Sequence, residues 1–111
     1  MREMSFRGQS GRAYKFTQMA KDAPWAREVG VALFAARGPF GWRVVKLTRL
    51  RGRAHDVQPV WAYADAERFG ASTVFVASET DAACRASMMA DLEAGLSPIC
   101  ETVYEDTRLA A

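Results

Sequence analysis

The feature that most constrains how this chain can fold is a Gly-Pro turn, RGPFG at 37–41, set between two long apolar runs. The run before the turn, VGVALFAA at 29–36, is apolar at nearly every position, which is typical of a strand covered on both faces. The run after it, WRVVKLTRL at 42–50, is rich in valine and leucine. Two extended runs around such a turn predict an antiparallel β-hairpin.

Downstream of the hairpin, the spacing of the apolar residues changes from that of a strand to that of a helix. In residues 55–70, four apolar side chains recur at helical spacing, namely Val57, Val60, Trp61 and Ala64. Asp56 can cap such a helix at its start, and Gly70 can end it. The pattern therefore predicts a short helix with this stripe as its apolar face.

Residues 78–98 predict a second, longer helix. Ser78 and Asp81 stand near its start at the spacing of a capping box, and Gly95 before Pro98 marks its end. Its apolar stripe comprises Cys84, Met88, Leu92 and Leu96.

Further strands are predicted at 13–19, AYKFTQM, and at 72–78, STVFVAS, from alternating or β-branched residues. Residues 99–106 can form a last edge strand or an extended tail. The order strand, hairpin, helix, strand, helix predicts the α+β class. We expect a small sheet of three to four strands, mostly antiparallel or mixed, with the hairpin in its N-terminal half and two helices packed on it.

The length of 111 residues is that of one domain. Residues 1–12, rich in Gly, Ser and Arg, are predicted to be a flexible lead, 13–106 the domain, and 107–111 a C-terminal tail. No apolar run approaches the roughly 18 residues of a membrane helix, and the first residues lack the apolar core of a secretory signal. We therefore expect a cytoplasmic protein that makes no membrane contact.

The residues that usually hold metals or cofactors are sparse. Cys84 and Cys100 lack CxxC spacing, and the one histidine, His55, has no ligand-spaced partner. The sequence contains neither a Gly-rich phosphate loop nor a nucleophile motif for a Ser-His pair. The sequence predicts no cofactor and no metal site.

The hairpin and the last helix carry short motifs in a particular order. Residues 30–34, GVALF, open the hairpin, its second strand runs into an arginine-bearing segment, and the last helix ends in DLEAGLSPICE at 91–101. In this order of elements, and in a few residues, 29–101 resemble the GIY-YIG nuclease domain.

The resemblance implies where the catalytic groups of that family would fall in this chain. The family's first tyrosine falls on Ala32, its metal-binding glutamate on Met89, and its final asparagine on Glu101. Its second motif and the positions near its Thr/Ser and catalytic arginine fall on Val44, Val45, Lys46, Thr48 and Arg53.

Phosphodiester hydrolysis of this type needs a carboxylate that holds a divalent cation and a phenol or similar group that activates water. Ala32, Val44 and Met89 provide neither. The resemblance therefore implies a degenerate, non-cleaving domain. An active nuclease-like enzyme stays open as an alternative, with Arg53, either Tyr14 or Tyr63, and Glu101 in another arrangement.

The two halves of the chain carry opposite charge. Residues 1–53 contain 12 Lys and Arg against 3 Asp and Glu, a net charge of +9, whereas residues 54–111 contain 3 against 10, a net charge of −7. Such asymmetry is typical of a polyanion-binding half, but basic strands beside acidic helices can also neutralise it within the fold.

Seven residues on and beside the hairpin are the candidate nucleic-acid-binding or anion-binding set: Arg37, Trp42, Arg43, Lys46, Arg49, Arg51 and Arg53. The arginines can form bidentate contacts with phosphates, and Trp42 and Phe40 at the turn can stack on a base. Alternatively, the charges protect a strand edge and pair with acids in 65–106. Strict alternation gives the second strand no purely basic face, which predicts a bulge after Leu47 or a strand that stops there.

Together these patterns favour a non-enzymatic α+β binding module whose basic hairpin corner contacts nucleic acid or an acidic protein. One alternative is a GIY-YIG-like nuclease or a domain derived from one. Another is an oligomeric structural or regulatory protein in which basic and acidic faces meet between identical subunits.

Overall fold

The computed structural model describes residues 2–20 and 22–104. Its strands and helices, in chain order, are β1 (Glu3–Arg7), β2 (Ala13–Met19), β3 (Val29–Gly38), β4 (Gly41–Arg51), α1 (Gln58–Glu67), β5 (Thr73–Ser78) and α2 (Ala82–Leu96). A 3₁₀ turn at Trp25–Arg27 precedes β3. The predicted α+β class is confirmed, whereas the predicted tail at 107–111 lies outside the described residues.

The sheet has five strands in the order β1-β2-β5-β3-β4, and each neighbouring pair runs antiparallel. The prediction of three to four strands is therefore wrong. The additional strand, β1, lies in residues 1–12, which the sequence suggests to be a flexible lead. β1 is short, and it carries only two apolar side chains, Met4 and Phe6. Phe6 nevertheless anchors it, because its ring packs edge-on against Phe16 and Phe75 at centroid distances of 5.5 and 5.3 Å.

Strand β5 lies between two hairpins that are distant in sequence. On one side, Val76 of β5 pairs with Thr17 of β2, and on the other it pairs with Ala32 of β3. The β1–β2 hairpin therefore joins the β3–β4 hairpin only through β5.

Each face of the sheet is covered by one helix. Leu33 packs in a cluster with Met89 of α2, and the next residue, Phe34, packs in a second cluster with Ala62 of α1. Coverage of both faces explains why the sequence of β3 is apolar at nearly every position.

Strand β4 contains a bulge, which lies earlier than the sequence suggests. Its register with β3 shifts between Phe34 and Ala35, because Val45 is an extra residue on β4. The extra residue changes the phase, so that Val45 packs towards α1 and Leu47 towards α2, although they are two residues apart. β4 then continues to Arg51, so a bulge after Leu47 and a strand that stops there are both wrong.

The outer edge of β4 is covered by the segment that follows α2. The backbone N–H of Cys100 donates to the carbonyl of Val45 at 2.8 Å, and that of Val103 donates to Leu47 at 3.1 Å. The N–H of Arg49 donates in turn to the carbonyl of Val103 at 3.1 Å. The described part of the predicted last strand thus runs parallel to β4, with one bridge, and closes this edge.

Helix α1 forms where the sequence predicts it but buries its opposite face. Val57, Val60 and Trp61 are exposed, whereas Ala62 and Ala66 are fully buried against the sheet. Small side chains let the helix approach the sheet on this face, while Val60 and Trp61 are left outside. The ring of Tyr63 packs beside Phe34, at a centroid distance of 5.0 Å. Hydrophobic size alone therefore indicates the wrong face of this helix.

Helix α2 begins later than the capping-box spacing predicts, because its cap is Asp81, whereas Ser78 is the last residue of β5. It ends one residue after Gly95. The carboxylate of Asp81 accepts a hydrogen bond from the N–H of Cys84 at 3.0 Å, while the Cys84 side chain is exposed. The helix continues through Gly95 and ends where Ser97 adopts a left-handed conformation, with φ of 47°. Within the described residues, neither helix is long and apolar enough to span a membrane.

Candidate anion-binding groove

The predicted basic residues do not form one surface. Arg37 and Arg43 lie exposed at the turn between β3 and β4, whereas Arg53 lies exposed beyond the far end of β4. At about 3.3 Å per residue, the separation of ten positions between Arg43 and Arg53 places them roughly 30 Å apart. Lys46, between the two ends, is buried. The hairpin therefore carries two separate basic ends.

At the turn, the aromatic ring predicted to stack on a base is already engaged. The guanidinium of Arg37 lies over the ring of Trp42, 4.9 Å from its centroid. The same indole ring also packs against Phe75 of β5, at a centroid distance of 5.2 Å. The ring of Trp42 is thus shared between a cation contact and the core, whereas Phe40 at the same turn is fully exposed.

At the far end of β4, one carboxylate organises the arginines. Oδ2 of Asp56 lies 3.5 Å from Nη1 of Arg49 and 3.3 Å from Nε of Arg51. Its other oxygen accepts a hydrogen bond from the N–H of Gln58 at 3.2 Å, at the start of α1. Asp56 therefore fixes the end of the strand to the start of the helix. The carboxylate that these two arginines share thus lies before the acidic stretch 65–106 that the charge pattern offers as their partner.

Beside this cluster lies an open groove of about 560 Å³, here called the outer groove. Its charged and polar lining includes Arg51, Arg53, His55 and Gln58, and the indole of Trp61 forms part of its wall. Trp61 is 62% exposed, so its ring is accessible to a ligand. Cations beside an exposed indole can hold a phosphate and stack a base at the same time.

A second space of about 700 Å³, here called the inner cavity, adjoins the outer groove and shares Arg49 and Gln58 with it. It is lined as well by Lys46, Glu93, Glu101, Thr102, Val103 and Tyr104. The phenol of Tyr104 donates to Oε1 of Glu93 at 2.7 Å. Burial, followed by this hydrogen bond, raises the pKa of Tyr104 to about 12, so the phenol stays protonated and acts as a donor.

The positions implied by the GIY-YIG resemblance are not brought together. Ala32 is buried on the α1 side of the sheet, whereas Val44 and Met89 are buried on the α2 side. Glu101 lines the inner cavity and Arg53 lines the outer groove. These residues therefore do not share one cavity at which a phosphodiester could react.

A third space, of about 440 Å³, lies between β2 and the start of α2. Arg12, Lys15, Ser78 and Cys84 are among its lining residues. The nearby carboxylate of Asp81, with burial, raises the pKa of the Cys84 thiol, so this cysteine is not an activated nucleophile.

Sequence reasoning missed several residues of the outer groove and of the inner cavity. Asp56 was visible only as a helix cap, and Trp61 belongs to a stripe that the pattern assigns to the interior of the protein. Thr102 carries no motif at all. The single sequence signal that could have pointed to Asp56 is its place as the first acid after a long basic run.

Among the described residues, no group of three or more His, Cys, Asp or Glu side chains could hold a metal ion. Comparison of the chain with protein-family models, with curated proteins and with solved structures gives no match. What bears on function is therefore the geometry of the outer groove and the inner cavity.

Proposed function

We propose that this chain is a non-enzymatic binding module that contacts single-stranded nucleic acid through the outer groove. The observation that carries the proposal is that the exposed indole of Trp61 lines the same groove as Arg51 and Arg53. In this arrangement the two guanidinium groups contact successive phosphates and the indole stacks on a base.

A single strand fits this groove better than a duplex does. Stacking on Trp61 requires an unpaired base with an open face, which a duplex does not present. The carboxylate of Asp56 neutralises part of the positive charge of Arg49 and Arg51. The groove can therefore neutralise only a small number of phosphates. Each phosphate contact contributes about −0.7 to the slope of log K against log salt, so the two contacts of Arg51 and Arg53 should give a total slope of about −1.4.

The test is a titration of fluorescently labelled DNA and RNA 12-mers by anisotropy at about 50 and 200 mM salt, where phosphate contacts differ most in strength. Stacking is worth about 1–3 kcal/mol per base, so Trp61→Ala should weaken binding by about 5- to 150-fold. Arg53→Ala should weaken binding and lower the salt slope by about 0.7. Arg37→Ala, at the other end of the hairpin, is the matched control and should bind like the parent protein.

Three outcomes would contradict the proposal. The first is no binding at about 50 mM salt, where phosphate contacts are strongest. The second is binding that depends on Arg37 or Arg43 and not on Arg53 and Trp61, which would move the site to the turn. The third is salt-dependent self-association in light scattering with no nucleic-acid binding, which would favour an oligomeric protein. Capture of acidic proteins alone would instead favour the acidic-partner alternative.

We also propose that the chain descends from a GIY-YIG nuclease domain that has lost its catalytic groups. The support is the order hairpin, helix, strand, helix from β3 to α2, together with Gly30, Arg53 and Pro98 at matching positions. Ala32, Val44 and Met89 supply no metal ligand and no water-activating group. Mg²⁺-dependent nicking of plasmid DNA that is lost in Arg53→Ala would show an active enzyme and overturn the non-cleaving form of this proposal.

A further inference from the structure

We propose that the inner cavity is a separate binding site for a small phosphorylated molecule, with Lys46 as the residue that pairs with its phosphate. This site goes beyond the nucleic-acid contact proposed above, because its ligand is a free small molecule and its principal residues do not line the outer groove.

The first observation is the state of Lys46. Its side chain is only 6% exposed, and it lines the inner cavity. Among residues 2–20 and 22–104, no carboxylate forms an ion pair with it and no side-chain hydrogen bond involves it. A lysine whose carbon chain is buried, and whose ammonium has no carboxylate beside it among these residues, can pair with an anionic group of a ligand.

The second observation is independent of the first and concerns Thr102. This residue is 5% exposed, and its hydroxyl is buried with no hydrogen-bond partner among the described residues. Thr102 lines the same cavity as Lys46. A buried hydroxyl without a partner forgoes a hydrogen bond, which a ligand can restore. An ammonium and a hydroxyl together are a common donor pair for a phosphate.

The chemistry of the opposite wall narrows the ligand further. Glu93 and Glu101 line the cavity as carboxylates, and one oxygen of Glu93 already accepts the phenol of Tyr104. These carboxylates repel a bare polyanion but accept hydrogen bonds from hydroxyl groups. A molecule with one phosphate and several hydroxyls, such as a sugar phosphate, satisfies both walls.

The size of the cavity agrees with such a ligand. Its volume of about 700 Å³ lies within the range of roughly 300–1,000 Å³ that small-molecule sites occupy. Arg49, which lies between the cavity and the outer groove, is 5% exposed and held near Asp56. Its positive charge adds to the attraction of the cavity for a phosphate, while the contact with Asp56 keeps the side chain in place.

The test is an NMR titration of the full chain, in which amide chemical shifts report binding. Ribose 5-phosphate is the probe, and ribose is its uncharged control. Saturable shifts are expected at residues 100–104 with ribose 5-phosphate and not with ribose. Lys46→Met should weaken binding about tenfold or more, since it removes a charge-assisted contact. Thr102→Val should weaken it by a smaller factor. Lys15→Met removes an exposed lysine on β2 and should leave the affinity unchanged.

Inorganic phosphate in a parallel titration separates recognition of the phosphate from recognition of the hydroxyls, and should bind more weakly than ribose 5-phosphate. The proposal is overturned if no saturable shifts appear up to about 10 mM ribose 5-phosphate, because a specific site should bind this molecule with a Kd below that concentration. It is also overturned if folded Lys46→Met, checked by its amide spectrum, binds like the parent. Trp61→Ala should retain sugar phosphate binding, so that failure of the nucleic-acid proposal and failure of this one give different results.

Discussion

At the scale of single residues, Asp91 shows how a side chain that looks solvated can hold two parts of the chain together. Asp91 lies in α2, and its carboxylate accepts hydrogen bonds from the N–H and hydroxyl of Ser10 at 2.8 and 2.6 Å and from the phenol of Tyr14 at 2.8 Å. The sequence offers no signal for these contacts, because Ser10 is 81 residues away from Asp91. Side chains that meet only through tertiary structure leave no local pattern.

These hydrogen bonds, those from Ser10 first, hold the pKa of Asp91 below its ordinary value. Because the folded pKa is below the unfolded one, the stabilisation is complete above about pH 4 and is lost as the pH falls through the folded pKa. We expect Asp91→Asn to lower the thermal midpoint at pH 7 and to flatten its decline between about pH 4 and pH 2. Thermal unfolding followed by circular dichroism at several pH values checks this.

Asp81 shares the direction of this effect, because the N–H of Cys84 lowers the pKa of its carboxylate. Some acid sensitivity should therefore remain in Asp91→Asn. A variant with an unchanged acid decline would show that the contacts with Ser10 do not form in solution.

At the scale of elements, helix α1 allows its two faces to be compared directly. Val60 is 54% exposed, whereas Ala62 is fully buried against the sheet. Val60→Ser should change the free energy of unfolding by less than about 0.5 kcal/mol. Ala62→Leu should lower it by about 1–3 kcal/mol, because the larger side chain overpacks the contact with the sheet. Urea denaturation of the two variants measures both values. A larger loss of stability in Val60→Ser than in Ala62→Leu would place the predicted apolar stripe of α1 in the core.

Helix α2 contains a glycine whose missing side chain is required. A Cβ at Gly95 would lie 2.6 Å from the backbone nitrogen of Gln9 and 2.6 Å from the carbonyl carbon of Gly8. In an exposed helix, replacing glycine with alanine gains about 1 kcal/mol from helix propensity. Here Gly95→Ala should instead cost about 1–3 kcal/mol, because the backbone of the β1–β2 turn must move.

The exposed neighbour Ala94 provides the control for this measurement. Ala94→Gly should lower the free energy of unfolding by about 1 kcal/mol through helix propensity alone. If Gly95→Ala proved stabilising in urea denaturation, the close approach of the turn to α2 would be refuted.

The elements that the sequence predicts well are those whose pattern is local and long. The β3–β4 hairpin, β5 and α2 all have runs of apolar residues at a clear period, bounded by turn or cap residues. β1 was missed because five residues with two apolar side chains give too short a period. The face of α1 was misjudged because its fully buried residues, Ala62 and Ala66, are small, and because Tyr63, the large side chain that packs on this face, lies outside the stripe that the spacing selects.

The candidate site was predictable only in part, for a related reason. Arg51 and Arg53 stand out by charge in the sequence, and both line the outer groove. The placement of Trp61 beside them depends on which face α1 turns outwards. The separation of Lys46 from the arginines depends on the bulge at Val45 and on the segment that covers β4, neither of which has a sequence signature.

At the scale of the whole molecule, closure of the β4 edge links stability to solubility. Val103→Pro removes the N–H that donates to Leu47 and uncovers part of this edge. We expect a loss of about 3 kcal/mol in urea denaturation and a larger tendency to aggregate. Val103→Ala keeps the N–H and should remain monodisperse in light scattering. If both variants aggregated to the same extent, burial of the Val103 side chain, and not closure of the β4 edge, would be what protects the molecule from aggregation.

The place of β5 between the two hairpins also bears on how the molecule is made. As the chain leaves the ribosome, β1, β2, β3 and β4 all emerge before residue 73, the first residue of β5. Until then the first hairpin has no strand to join, and the second is bare along β3 and also along β4, because the residues that cover β4, 100–103, emerge later. The growing chain therefore holds two incomplete units until β5 joins them. Any pause in translation before that strand would leave exposed edges open to neighbouring chains.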